Sequence, residues 1–357
     1  MYDLSALGFG PSFQEQLTRW ASGDVFPARV AAEHRGVYEV WSSAGAARAQ
    51  LAGRLRVELE NGASPGVGDW VALKELPSPE RTTIIHDLFA QRTVFTRGAA
   101  GRQARAQVIA ANVDLVFVAC GLDEDFNVRR IERYVARIWA SGARPIVILN
   151  KADLCENAEA RVLEIETRCP GVPVYVTSAI RAEGLGPIRA SIGHGLTAAF
   201  VGSSGAGKST LVNALLGERR MATAEVRASD GRGRHTTTRR QLVLLSGGGL
   251  LLDTPGMREL QIVDEAGLGA VFEDITLLAA RCRFRDCRHD SEPGCAVKEA
   301  IASGEMTAER LEHFHKLERE AQSHERRHNE RLRRESERAW GRLSDEAARS
   351  RRRKRGE

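Results

Sequence analysis

Asn150-Lys151-Ala152-Asp153, then Thr177-Ser178-Ala179, then Gly202-Ser203-Ser204-Gly205-Ala206-Gly207-Lys208-Ser209-Thr210, then Asp253-Thr254-Pro255-Gly256: the order of these four stretches decides the fold. The third is a G-x-x-x-x-G-K-[ST] phosphate loop. The first has the N-K-x-D pattern of a guanine-reading tetrad, and the second is the T-S-A loop that accompanies such a tetrad. A GTPase in the ordinary order runs phosphate loop, switch I, D-x-x-G, tetrad, T-S-A. Here all the parts occur in rotated order, which predicts a circularly permuted P-loop GTPase domain of α/β class.

The local context of each stretch supports that reading. Thr197-Ala198-Ala199-Phe200-Val201 is a short apolar run ending at Gly202, and Lys208 to Leu216 has helical periodicity closed by Gly217. A strand–loop–helix lets the glycines curl backbone amides round phosphates, with the helix N-terminus adding positive potential. Lys208 is expected to neutralise the β- and γ-phosphates and act in catalysis, and Ser209 to ligate Mg²⁺. Pro145 to Leu149 reads as a buried strand delivering Asn150 and Asp153 to a loop, and Val174-Tyr175-Val176 as a strand leading into Thr177. A carboxylate at Asp153 accepts from both N1–H and N2–H₂ of guanine, a pattern adenine does not offer, and the stem of Lys151 packs on the base or holds the loop. GTP is therefore expected over ATP, bound by residues 150–153, 177–179 and 202–210 with Asp253 and Gly256.

Leu250-Leu251-Leu252-Asp253 reads as a strand ending in an acid that holds Mg²⁺ through water, joined by Gly247-Gly248-Gly249 to the strand Gln241 to Leu245. The Gly256 amide is placed to sense the γ-phosphate. Gly231 to Arg239 sits where switch I belongs; Thr237 or Thr238, the latter preferred, would complete the Mg²⁺ shell. Met257 stands where many signalling GTPases place a water-orienting glutamine, and methionine has no group for that task. His235 is then the nearest titratable group of suitable pKa, either the catalytic group or a plain polar loop residue. Slow intrinsic turnover, accelerated by a partner that orders the switches, is the expected mechanism.

Outside this domain, 357 residues leave room for further cores. We read residues 1–24 as an N-terminal extension, 25–99 as an OB-type β-barrel, 100–272 as the permuted domain, 273–320 as a helical zinc-binding domain and 321–357 as a charged tail. The barrel reading rests on short alternating stretches: Arg35 to Trp41, Gly53 to Leu59, Val67 to Leu73 and Arg92 to Arg97. Tyr38, Trp41 and Trp70 are base-stacking platforms or core, His34 and His86 are read as structural or surface groups, and the barrel itself binds nucleic acid or serves as a spacer or protein dock. Val113 to Ala119 reads as the first strand of the permuted domain and Arg129 to Trp139 as its first helix. Ala100 to Gln107, with Arg102 and Arg105, is a short linker that touches RNA phosphate or stays solvated.

Cys282, Cys287, His289 and Cys295 form C-x₄-C-x-H-x₅-C, a closed set of four ligands for one structural zinc. Arg281, Arg283, Arg285, Arg288 and Lys298 beside it favour contact with RNA phosphate. A saturated ligand set argues against a zinc enzyme regulated by GTP. Because the chain runs from Gly256 through Met257–Phe272 into this module, movement of switch II would pull on it directly. From Glu309 onward the chain reads as helical, with acid–base pairs such as Glu312–Lys316 and Glu330–Arg334. Residues 308–357 hold sixteen Lys/Arg against eleven Asp/Glu, which accounts for the whole net charge of +5. The final basic run clamps RNA or is a solvated tail. No apolar run approaches the roughly 20 residues of a membrane span, the first residues lack a signal-peptide layout, and the few cysteines fit a reducing compartment. A cytoplasmic, membrane-free protein, with nothing demanding more than a monomer, is expected.

The chain resembles the RsgA (YjeQ/YloQ) family of bacterial permuted GTPases. The resemblance rests on Val67-Gly68-Asp69-Trp70-Val71, Ala111-Asn112-Val113-Asp114, Asn150–Asp153, Gly202–Thr210, His235-Thr236-Thr237-Thr238, Asp253–Gly256 and Phe284 to Asp290. It implies an OB domain, a permuted GTPase domain and a zinc domain. It also implies a role late in assembly of the small (30S) ribosomal subunit, with rRNA bound and hydrolysis stimulated by that subunit. The alternative is a GTPase switch regulated by a protein partner, independent of the ribosome. Residues 1–24 and the Arg/Glu-rich tail depart from the family pattern.

Overall fold

The computed structural model describes residues 1–20, 25–34, 36–60, 64–78, 80–97, 107–217, 240–253, 268–269 and 271–322. The chain divides into two compact units, Met1–Gln261 and Ile262–Glu357.

The first unit opens with a short helix, α1 (Pro11–Leu17), followed by β1 (Phe26–His34), β2 (Val37–Ser42) and β3 (Gly45–Leu51). A helix, α2 (Gly53–Glu60), leads to β4 (Trp70–Leu73) and β5 (Thr83–Leu88). Strand β1 pairs antiparallel with β2 and β4, β2 with β3, and β4 with β5, while β3 and β5 run parallel. The closure β1-β2-β3-β5-β4-β1 makes a five-stranded barrel of OB type. Alternate residues point inward, so Ala28, Val30, Tyr38, Val40, Ala47, Ala49, Val71, Leu73 and Ile85 form one core under Leu55.

Two expectations for this region are corrected. Gly53 to Leu59 is helical, not a strand. Its apolar residues Leu55 and Leu59 are four apart, so they lie on one face of a helix as readily as on one face of a strand. Leu55 is buried in the barrel core, Leu59 packs against it, and Val57 is 62% exposed. An exposed Arg54–Glu58 pair at 2.7 Å marks the solvent side. Arg92 to Arg97 does not join the barrel either. The barrel is already closed, with no free edge, so β6 (Val94–Arg97) pairs antiparallel with β7 (Gln107–Ala111) in a separate two-stranded sheet. The Arg102–Arg105 stretch lies outside the described residues.

Residues 1–20 fold onto the barrel. Phe9 and Phe13 pack with Trp70 and Phe89 at centroid distances of 4.8 to 6.2 Å, and Tyr2 stacks on Trp41 at 5.1 Å. Tyr38, Trp41 and Trp70 are consequently core residues, 2%, 9% and 0% exposed, with no open ring face for a base. Buried Arg29 ties three segments together. It donates to the carbonyls of Leu7, Gly68 (3.2 Å) and Asn112 (3.0 Å), which spreads its charge over fixed dipoles.

The rest of this unit is a parallel sheet with helices: β8 (Leu115–Gly121), α3 (Val128–Ala140), β9 (Arg144–Asn150), α4 (Ala158–Arg168), β10 (Val174–Val176), α5 (Leu185–Ser191), β11 (Thr197–Val201), α6 (Lys208–Leu216), β12 (Gln241–Leu244) and β13 (Leu250–Asp253). Strand order is β10-β9-β8-β11-β13-β12, all parallel except β12. Strands β8 and β11 are buried along their whole length, as parallel strands covered on both faces must be. Phe117 and Phe200 meet at 4.9 Å in a core that α5 and α6 close with Leu185, Ile188, Leu211 and Leu215. Ala32 of β1 pairs with Gln241 of β12, so barrel and parallel sheet are continuous.

The second unit has α7 (Glu273–Ala279), α8 (Ala296–Ala302) and a helix, α9, over 308–322. Arg310 holds α7 and α9 together. Its fork donates to both carboxylate oxygens of Asp274 at 3.0 Å and to the Val271 carbonyl at 2.8 Å, with Phe272 4.4 Å beneath its guanidinium. The tail beyond residue 322, including Glu330–Arg334, lies outside the described residues.

Candidate functional site

In a parallel sheet the loops at the carboxyl ends of the strands share one edge, where ligands bind. Strands β9, β8, β11 and β13 are parallel neighbours, so their last residues, Asn150, Gly121, Val201 and Asp253, lie at that edge.

Asn150, the last residue of β9, is 2% exposed and does not face solvent. Its Nδ2 donates to the Ala206 carbonyl at 3.0 Å, and its Oδ1 accepts from the Ala179 amide at 3.1 Å. One side chain thus ties the phosphate loop to the T-S-A loop. Lys151 adopts the left-handed conformation (φ 64°, ψ 39°), which turns the chain sharply off the strand. Its ammonium donates to Asp123 Oδ2 at 2.5 Å. Asp153 Oδ1 accepts from the Ser178 hydroxyl at 2.5 Å, and that bond is the main cause holding its pKa below the ordinary 3.8. The group is therefore an acceptor-only carboxylate, as recognition of two guanine N–H donors requires. Thr177 is fixed at the end of β10 by its amide to Leu149 O (2.9 Å) and its hydroxyl to Glu183 O (2.6 Å), and Ala152 N donates to Thr177 O at 3.1 Å.

The phosphate loop follows β11. A Cβ on Gly202 would lie 2.1 Å from the Ala119 carbonyl of β8, and one on Gly207 would lie 2.2 Å from Asn150 Nδ2. Both residues also have positive φ, 137° and 82°, so glycine is required by space and by backbone. Ser203, Ser204, Gly205 and Ala206 form the turn between them, and Ser209 and Thr210 open the first turn of α6. Lys208 Nζ donates to the Gly202 carbonyl at 2.9 Å and to the Ser203 carbonyl. The ammonium thus lies across the mouth of the loop.

Asp253 ends β13, whose residue Leu252 pairs with Ala199 of β11. The segment that carries Ser209 and the end of β13 at Asp253 therefore follow neighbouring carboxyl ends of the sheet. His235, Thr237, Thr238, Thr254, Gly256 and Met257 lie outside the described residues. Two residues that sequence reading missed are Asp123 and Asp125, on the loop after β8. Strand β8 lies between β9 and β11, so its loop must sit between tetrad and phosphate loop; that inference needs the strand order, which no single motif states.

In the second unit the donor atoms of Cys282, Cys287, His289 and Cys295 all lie within 4.8 Å of one another. His289 Nδ1 is 3.4 Å from Cys295 Sγ and 3.7 Å from Cys282 Sγ, and the Cys282 and Cys295 sulfurs are 3.9 Å apart. Four ligands about 2.3 Å from one tetrahedral ion are separated by just under about 4 Å, so the spacing fits zinc. His289 reaches in from a left-handed backbone position (φ 62°).

A sheet edge bearing a phosphate loop and a guanine tetrad, with the tetrad first in the chain, defines a circularly permuted GTPase. Comparison with known proteins sharpens the class. Residues 88–263 match the family model described as RsgA GTPase. The "Small ribosomal subunit biogenesis GTPase RsgA" of Opitutus terrae is 44% identical over 327 residues, covering 89% of both chains. A "Small ribosomal subunit biogenesis GTPase RsgA 2" of Lactiplantibacillus plantarum is 43% identical over 319 residues, again covering 89% of each. The crystal structure of YjeQ from Thermotoga maritima matches with a TM-score of 0.62 at 25% identity, over 83% of this chain and 98% of that one. YloQ, described as a circularly permuted GTPase, matches with a TM-score of 0.61 at 23% identity and supports the fold. The chain belongs to the RsgA GTPase family and hydrolyses GTP.

Proposed function

We propose that this GTPase acts late in maturation of the small ribosomal subunit, binding rRNA and turning over GTP when the subunit orders its switches. The observation that carries the reading is the match over 89% of the chain to relatives named as small ribosomal subunit biogenesis GTPases. The exposed cations Arg281, Arg283, Arg285, Arg288 and Lys298 around the metal cluster support a nucleic-acid partner. Among the described residues no helix is long and apolar enough to cross a membrane; a cytoplasmic monomer is the working assignment.

In this reading guanine lies between the Lys151 and Ser178 segments, its N–H groups on Asp153. The phosphates enter the 202–208 loop, and Lys208 swings from the Gly202 and Ser203 carbonyls onto the β- and γ-phosphates. The Mg²⁺ that accompanies GTP would be held by Ser209, Asp253 and Thr238 and would neutralise phosphate charge. His235 is the group assigned to the attacking water, and Gly256 senses the γ-phosphate. Cys282, Cys287, His289 and Cys295 hold one structural zinc.

The test is GTP hydrolysis by the purified protein alone, with small subunits and with large subunits, each at two salt concentrations. Stimulation by the small subunit only, falling at the higher salt, is expected. Equal turnover in all three would remove the ribosome as activator. Loss of stimulated turnover in His235→Ala, with nucleotide affinity retained, is expected for its catalytic assignment.

A further inference from the structure

The loop after β8 holds two carboxylates at the seam between base pocket and phosphate loop. Asp125 accepts three bonds there. The Ser203 hydroxyl donates to its Oδ2, the Gly121 amide donates to the same oxygen at 3.3 Å, and Arg130 on the first turn of α3 donates to its Oδ1 at 2.6 Å. Arg130 also donates to the Asp125 carbonyl. The Asp125 amide in turn donates to Asp123 Oδ1 at 3.2 Å, and the other oxygen of Asp123 receives Lys151. The chain of contacts runs Lys151–Asp123–Asp125–Ser203 and crosses from the guanine tetrad to the second residue of the phosphate loop.

A carboxylate so close to a phosphate site is electrostatically adverse, because it repels the polyanion that the loop must admit. Two features offset that. Arg130 pairs with it, and the Ser203 hydroxyl is consumed as a donor to it, which fixes the loop before any ligand arrives. A loop already held in its bound shape loses less conformational entropy on binding.

We propose that Asp125, neutralised by Arg130, is a positioning residue that pins Ser203 and so preorganises the phosphate loop for guanine nucleotides. The inference rests on the assignment of residues 202–208 as the phosphate site, and it concerns binding by the isolated protein without any ribosome. The loop's two neighbours divide the labour. Asp123 steadies Lys151 on the base side, and Asp125 steadies Ser203 on the phosphate side.

The experiment titrates a fluorescent GDP analogue into the full chain and compares Asp125→Ala, Ser203→Ala, the double variant, Asp125→Asn and Lys208→Ala. Asp125→Ala and Ser203→Ala are each expected to weaken binding about three- to tenfold, the worth of one hydrogen bond. The double variant should be no weaker than either single one, because both remove the same contact. Asp125→Asn keeps an acceptor and sheds the adverse charge, so it should restore binding to wild-type level or better, which a merely misfolded loop would not do. Wild-type affinity in Asp125→Ala, or additive losses in the double variant, would overturn the proposal while Lys208→Ala still abolishes binding. Unchanged affinity in Lys208→Ala would overturn the phosphate-site assignment and the proposal with it.

Discussion

At the residue scale, two buried polar groups in the first unit carry measurable consequences. Asn150 makes its amide serve both neighbouring loops, one through each end. Asn150→Ala leaves the Ala206 carbonyl and the Ala179 amide without that partner, so a loss of about 1–3 kcal/mol in unfolding free energy is expected by denaturant titration, together with weaker guanine nucleotide binding. An unchanged midpoint and affinity would mean the two loops stand independently. Asp69 is the second group. It accepts from the Gln91 amide and the Gly66 N–H, each at 2.7 Å, yet burial dominates and pushes its pKa up to about 6 from the ordinary 3.8. A carboxyl whose folded pKa is raised binds its proton more tightly when folded. Its contribution to stability is therefore present below about pH 4 and lost as pH rises through about 6. Melting temperatures measured from pH 4 to 7 should fall less steeply in Asp69→Asn than in the wild type; parallel curves would count against the assignment.

At the scale of elements, residues 1–20 behave as a working part of the barrel. Phe13 on α1 is fully buried among Phe9, Trp70 and Phe89. Phe13→Ala should destabilise the first unit by about 3–5 kcal/mol, the usual cost of emptying a buried aromatic site, with tryptophan emission shifted to the red as Trp70 meets water; a change below about 1 kcal/mol would show that α1 only rests on the surface. This packing was not legible in the sequence: Phe9, Phe13 and Trp20 fall at spacings of four and seven that suit one helix face, but spacing names no partner, and that the barrel is what they cover follows only from the fold. The strands of the nucleotide edge were legible, since β8, β9 and β11 each carry an apolar run, Leu115 to Cys120, Pro145 to Leu149 and Ala198 to Val201, that leads directly into Gly121, Asn150 and Gly202. The barrel was legible only in part. Strand β3, Gly-Ala-Ala-Arg-Ala-Gln-Leu, is made of residues with little strand preference and forms because β2 and β5 flank it. Helix α2 was misread because Leu55 and Leu59 satisfy both periods.

At the scale of the molecule, the composition of the nucleotide edge could be read from motifs, but its cohesion could not: the bridging roles of Asn150, Asp123 and Asp125 follow from which strands are neighbours. The second unit yields its own test. Metal analysis of the purified chain should find one zinc, lost in Cys282→Ser, and chelation should make the region 262–322 protease-sensitive while guanine nucleotide binding persists; a chain that is metal-free yet resists protease would refute a structural zinc. The position of β11 has a further bearing on how the molecule is made. It inserts between β8 and β13, so its hydrogen-bonding edges are needed by strands on both sides. During synthesis β8, β9 and β10 emerge before β11 and can pair, but β8 presents an apolar, unsatisfied edge from its own completion at Gly121 until Thr197, more than seventy residues later. The rotated gene order thus makes the nascent half-sheet a sticky intermediate, exposed for several seconds at ordinary elongation rates of about 5–20 residues per second. Chains stalled before Thr197 should aggregate or recruit chaperones, whereas release past Val201 lets the missing strand close the gap.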